Sequence, residues 1–271
     1  MVLSTRKTKR ASTAIAASAG TVAGDRRTVF KKRHRQFCCV LIDHTNQRIL
    51  EVLETREKPA LKAWLKEGWA SGLLAQLEEV TTDMWDGFTM AVREALGSRV
   101  RLVIDRFHVM KLFQEQLNRA RREIQRKLPR EAASELKGSR WLWTSNAENL
   151  TSEQQQELER LKHRFPELAS LAKHREELRC IFEDRRIKTA AVATLHFREW
   201  CCRGRLLGLK ALEPFYKTLE NWMSKIANYF VSRSSNGRTE GFNRTLRTLL
   251  WRACGMTNFE HFRLRVLHAL G

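Results

Sequence analysis

The sequence lacks a Cys-x-x-Cys pair, lacks a long apolar run, and has too few acidic residues to balance its basic ones. Each lack excludes a class of protein. The six cysteines are Cys38, Cys39, Cys180, Cys201, Cys202 and Cys254. Without paired spacing they predict neither a zinc ribbon nor a disulfide framework, and they are expected to be reduced and buried. No stretch approaches the roughly 20 apolar residues of a membrane span, so no membrane partner is expected. The opening MVLSTRKTKRASTAIAASAG has only Ala and Ile, broken by Ser and Thr, where a secretory signal needs a continuous apolar segment. Residues 1–20 therefore read as a disordered basic arm. Acidic side chains number 30 against 50 Lys and Arg, a formal net charge of +20, which makes a polyanion such as nucleic acid the expected partner. No Ser, Tyr or Cys stands in a setting that marks a nucleophile.

A chain of 271 residues can bury a sizeable core in one or two domains. Its organising stretch is EEVTTDMWDGFTMAVREALGSRVRLVIDRFHV, Glu78 to Val109. Two short apolar runs end in Asp83 and Asp105, and DGFTMAVREAL between them has the pattern of one short helix. This predicts two parallel strands joined by a right-handed crossover. Ligands of such sheets bind beyond the carboxyl ends of the strands, where two carboxylates suit a hard metal ion. Aspartates are also common as turn and N-cap residues, and Asp86, the near neighbour of Asp83, is read as a first-turn helix acid.

Upstream, QFCCVLID and RILEVLE read as an antiparallel hairpin about the turn HTNQ, and KPALKAWLKEGWASGLLAQL as a helix disturbed by Gly68 and Gly72. The order strand, strand, strand, helix, strand, helix, strand is that of an α/β, ribonuclease-H-like mixed sheet with strand order 3-2-1-4-5. It demands a strand before QFCCVLID. TVAGD is the candidate, with Asp25 as its carboxylate.

From His108 to about Ile226 the chain is almost wholly helical by periodicity, including a basic helix over Lys111–Lys127 and a capping box from Thr151 to Gln154. This predicts a large all-α insertion. The Trp and Phe residues there are expected to form core. After the Asn236-Gly237 turn, one helix carries two stripes. Phe242, Leu246, Leu249 and Ala253 form the apolar stripe; Glu240, Asn243, Arg244, Arg247 and Trp251 form the other. A last helix is expected from a capping box at Thr257 and Glu260. The expected domains are therefore an arm (1–20), the first part of the core (21–108), the helical insertion (109–231) and C-terminal helices completing the core (232–271).

The segments VTTDMWDGF, VIDRFHVMKLF, LKGSRWLW, FYKTLENWMSKIANYF and SSNGRTEGFNRTLRTLLWRACGMTNFEHFRLR, in this order, resemble the transposases of ISL3-type bacterial insertion sequences from about Lys31 onward. The resemblance implies a DDE transposase. Such an enzyme uses Mg²⁺ or Mn²⁺ to cleave and join DNA strands, with double-stranded DNA (transposon ends and target) as partner. It works as a homo-oligomer on DNA and would reside in the bacterial cytoplasm with the nucleoid.

Asp43, Asp105 and Glu240 are one possible acidic set, but Asp43 ends strand two and Asp105 ends strand five. Neighbouring strands lie about 4.8 Å apart, and two-metal sites need ligands around ions about 3.5–4 Å apart, which favours the adjacent strands one and four. The expected catalytic and metal-holding residues are thus Asp25, Asp83 and Glu240. Asp105 and His108 form a supporting D-x-x-H motif at the entry to the insertion. Arg238, Asn243, Arg244, Arg247 and Arg252 are candidate DNA contacts. Relatives of this kind begin with a zinc-binding segment and a helix-turn-helix that have no counterpart in the sequence. Their first catalytic strand ends in Asp-Glu where this one has Asp25-Arg26. A truncated or divergent form is expected, and a catalytically silent DNA-binding or multimerising remnant is the alternative.

Overall fold

The computed structural model describes the backbone of residues 13–20 and the residues 38–234, 244–246, 248, 249, 251, 252 and 258–271. Two compact units divide the chain, one of residues 1–105 and 234–271, the other of 106–233.

The first unit is organised by CCVLID, which forms β2 (Cys38–Asp43). All six residues are buried, and the first five, Cys38–Ile42, are apolar without alternation because both faces of the strand are covered. Cys39 and Leu41 face one layer, while Cys38, Val40 and Ile42 face the other. A turn leads into β3 (Arg48–Leu53), antiparallel to β2. Helix α1 (Lys58–Ala70) starts with Pro59 in its first turn and ends before Gly72, whose φ of 80° stops it short of its expected length. Then come β4 (Leu77–Thr82), α2 (Asp86–Leu96) and β5 (Arg101–Ile104). The five-stranded sheet has the order β3-β2-β1-β4-β5, with β1, β4 and β5 mutually parallel.

Strand β1 is Thr13–Gly20, TAIAASAG, and not TVAGD. Two expectations change. The stretch read as an arm contains the central strand, and Thr21–Asp25 lies outside the described residues. Ala, Gly, Ser and Thr give little hydrophobic signal. Pairing with β2 on one side and β4 on the other satisfies this backbone along both edges, and an uncharged segment suits that position better than VAGDRR.

One face of the sheet is covered by α1 and α2 through Leu61, Leu65, Phe88, Ala91, Val92 and Leu96. Each fully buried Leu or Phe there is worth about 1.5–3 kcal/mol of hydrophobic stabilisation. The other face takes Leu246, together with Phe262 and Val266 of α11 (Phe259–Leu270). That helix is capped by the Asn258 side chain accepting from the His261 N–H; Thr257, the expected cap, lies outside the described residues.

The second unit is all helical in its regular structure: α3 (Arg106–Lys127), α4 (Arg130–Glu135), α5 (Arg140–Thr144), α6 (Ser152–Arg164), α7 (Pro166–Glu183), α8 (Ala190–Leu206), α9 (Glu213–Ala227) and α10 (Tyr229–Ser232), with two short 3-10 turns. Thr151 and Gln154 make the expected capping box at the start of α6. The core joins Phe113 of α3, Trp200 of α8 and Phe215 of α9 by edge and tilted ring contacts, and His174 of α7 stacks on Trp200 at 4.0 Å. Most of the large aromatic residues of this unit are core, as the helical spacing implied, although Phe107 and Trp141 are exposed. No described helix is long and apolar enough to cross a membrane.

Candidate active site

Parallel strands place their carboxyl ends at one edge, and two aspartates stand there. Asp83 follows β4 and Asp105 follows β5. Thr82 pairs with Ile104, so continuing the register sets the two acids side by side, about 4.8 Å apart in backbone spacing. Asp83 is half-buried, whereas Asp105 is 1% exposed and directly precedes α3. His108 lies in the first turn of α3 and is half-buried.

On the other side of β4, Ala17 of β1 pairs with Thr82, so Ser18 is the register neighbour of Asp83. The strand TAIAASAG carries no carboxylate. Asp25, expected at the end of the first strand, lies outside the described residues, as do Arg238, Glu240, Asn243 and Arg247. Arg244 and Arg252 are described and exposed; Trp251 is also exposed, while Leu246 is buried. The two-stripe reading of this stretch thus matches at its described positions.

Asp43 belongs elsewhere. It pairs with Ile15, and Ile15 pairs with Val80, so Asp43 sits about 10 Å back along the strands from Asp83, at the opposite end of the sheet. Its carboxylate is spent on the hairpin: Oδ1 accepts from the Thr45 and Asn46 N–H groups (2.9 and 3.0 Å), and Oδ2 from Asn46 Nδ2 (2.6 Å). This is an Asx turn.

The backbone leaving β4 turns at once. The Trp85 N–H donates to the Asp83 carbonyl (2.8 Å), and the Trp85 carbonyl accepts from the Phe88 N–H (3.2 Å). Helix α2 then opens with Asp86, an exposed acid in the first turn, where it complements the helix dipole. Cys39 of β2 pairs with Ala19, near the same sheet edge. Burial pushes its thiol pKa well up, and the charges of Cys38 and Asp83 add to this, so it stays a neutral thiol and not a nucleophile. Cys38, Cys39 and Cys201 are buried as the sequence reading expected, whereas Cys180 and Cys202 are exposed. Trp85 lies in the motif VTTDMWDGF, but in-line spacing gives it no role of its own, because its contacts come from the turn and from other elements.

Among the described residues no three His, Cys, Asp or Glu side chains cluster closely enough to hold a metal ion. The carboxylates at this edge are hard oxygen donors of the kind Mg²⁺ takes, and completing a set needs ligands from beyond the described residues.

Comparisons with known proteins bear on the family. A family model for ISL3-type DDE transposases, described as transposase, matches residues 27–266. The transposase of insertion sequence element IS1001 from Bordetella parapertussis is 26% identical over 238 residues, covering 87% of this chain and 57% of that protein. The chain thus spans little more than half the length of that relative. No solved structure matches significantly. With most of its length matched, Asp83 and Asp105 included, the chain belongs to the ISL3-type DDE transposase family.

Proposed function

We propose that the chain is a DDE transposase that cleaves and joins DNA strands with Mg²⁺ or Mn²⁺, and that Asp25, Asp83 and Glu240 hold the metal. The observation that carries the reading is the position of Asp83: half-open, at the carboxyl end of β4, with β1 and β5 parallel on its two sides. Two further features favour a ribonuclease-H-like core with a helical insertion. The sheet order is β3-β2-β1-β4-β5, and an all-helical unit, 106–233, interrupts the first unit. When bound, divalent metal would activate the attacking hydroxyl and stabilise the leaving oxygen of an in-line phosphoryl transfer.

In this reading Asp83 and Glu240 each supply carboxylate oxygen. Asp105, buried before α3, and His108 are supporting residues and not ligands in this reading. Exposed Arg244 and Arg252, with Arg238, Asn243 and Arg247, contact phosphates, and binding falls steeply with salt. Substrates are transposon ends and target DNA, bound by a homo-oligomer in the nucleoid. A second reading, a catalytically silent module that only binds DNA or multimerises, is favoured by one observation: β1 itself carries no acid.

The test is Mg²⁺-dependent nicking of duplex DNA ending in the element's terminal repeat. Asp83→Ala and Glu240→Ala should each abolish nicking, and Asp25→Ala decides the third ligand. Equal activity in the wild type and in Asp83→Ala would reject the site; no nicking by any form, with DNA binding intact, would establish the silent module.

A further inference from the structure

The turn that aims Asp83 is closed by a tryptophan folded back on a glycine. The indole of Trp85 lies against Gly87: a Cβ built on Gly87 would come within 2.5–2.8 Å of three of its ring carbons, closer than real Cβ contacts allow. No residue but glycine fits there without moving the ring. The indole is also held edge-on by Phe88, 4.7 Å between centroids at 89°, and Phe88 is fully buried in the layer under α1 and α2. Its outer face is covered by the Arg56 guanidinium from the β3–α1 connection, 5.1 Å from the ring centroid. The ring therefore has three close neighbours, Gly87, Phe88 and Arg56. The same residue's N–H holds the Asp83 carbonyl, so the locked indole fixes the peptide from which the Asp83 side chain departs.

We infer that Trp85, seated on Gly87 and clamped by Arg56, is a positioning residue that sets the direction of the Asp83 carboxylate for metal binding; this rests on Asp83 being a metal ligand. An aspartate at a free strand end would sample several rotamers, and ordering it in advance removes that cost from metal binding.

The experiment is Mn²⁺ binding to the full-length chain by titration calorimetry, alongside thermal unfolding. Asp83→Ala should remove the site. Trp85→Ala should weaken Mn²⁺ binding about 10-fold, Gly87→Ala should do the same by displacing the ring, and Trp85→Phe should recover most of the loss. Arg56→Gln leaves the indole in place but unclamped and should weaken binding about 3-fold, which keeps the test alive if Trp85→Ala fails to fold. If Asp83→Ala removes binding while Gly87→Ala and Arg56→Gln bind Mn²⁺ as the wild type does, the positioning role is overturned and the metal site stands. If Asp83→Ala binds normally, the metal site and the positioning role fall together.

Discussion

Arg263 donates two hydrogen bonds of 2.6 Å to the carboxylate of Glu51, Nε to one oxygen and an Nη to the other. The pair joins β3, early in the chain, to α11 at its end. Glu51 is buried on the strand, and Arg263 also reaches Glu260 in its own helix. The fork geometry makes this the strong form of ion pair.

Removing one partner should therefore cost more than a surface pair would. Glu51→Ala should leave Arg263 without its bidentate partner and lower stability by about 1–3 kcal/mol, and Arg263→Lys, which keeps the charge but not the fork, should cost a smaller part of that. Urea unfolding of both single variants and the double variant gives the coupling energy; additivity would show that the contact contributes nothing.

Asp43→Ala should be a stability variant and not a metal-site variant. Three hydrogen bonds bind its carboxylate to the turn, so their loss should destabilise the hairpin by about 1–2 kcal/mol. Mn²⁺ affinity measured by calorimetry should be unchanged. A loss of binding equal to that of Asp83→Ala would contradict the sheet register.

The helical unit should lose stability in acid through His174. This residue is buried, its ring stacked on Trp200 and its Nε2 2.9 Å from the Tyr216 hydroxyl. Burial lowers its pKa from 6.5 to about 4, with Arg203 lowering it further and Glu177 opposing. The depressed folded value means that its contribution is complete above pH 6.5 and is lost as pH falls towards 4. Denaturation of the full chain between pH 7.5 and 4.5 checks the slope, and His174→Gln should flatten it.

Gly204→Ala should unfold or strongly destabilise the same unit, by roughly 3 kcal/mol or more. A Cβ at that position on α8 would meet the Tyr216 hydroxyl at 1.8 Å and His174 Nε2 at 2.6 Å. A Tyr216→Phe change in the same background removes the nearer atom and should restore part of the thermal midpoint. An unchanged midpoint in Gly204→Ala alone would show that α8 and α9 are not packed as described.

The strand–helix–strand unit about Asp83 was readable because its parts carry strong local signals. Apolar runs end in aspartate, and the intervening helix has Asp86 in its first turn and Gly97, φ 65°, after its last. The helices of 106–233 were readable for the same reason: their apolar residues recur with helical spacing, and Pro166 and Thr151 mark starts. These are short-range properties of the chain, and so are its charge and the ordered motifs that carry the family resemblance.

What only the tertiary structure decided is which segment becomes the central strand and where the Asp43 carboxylate is used. TAIAASAG has almost no intrinsic strand signal, and it is a strand because two partners satisfy its backbone. Asp43 and Asp83 look alike in sequence, each closing an apolar run. Strand direction separates them, because β2 runs antiparallel to β1 and β4 runs parallel to it, so one aspartate goes to the hairpin and the other to the open edge. Pairing direction is a relation between distant segments, and no single segment of the sequence contains it.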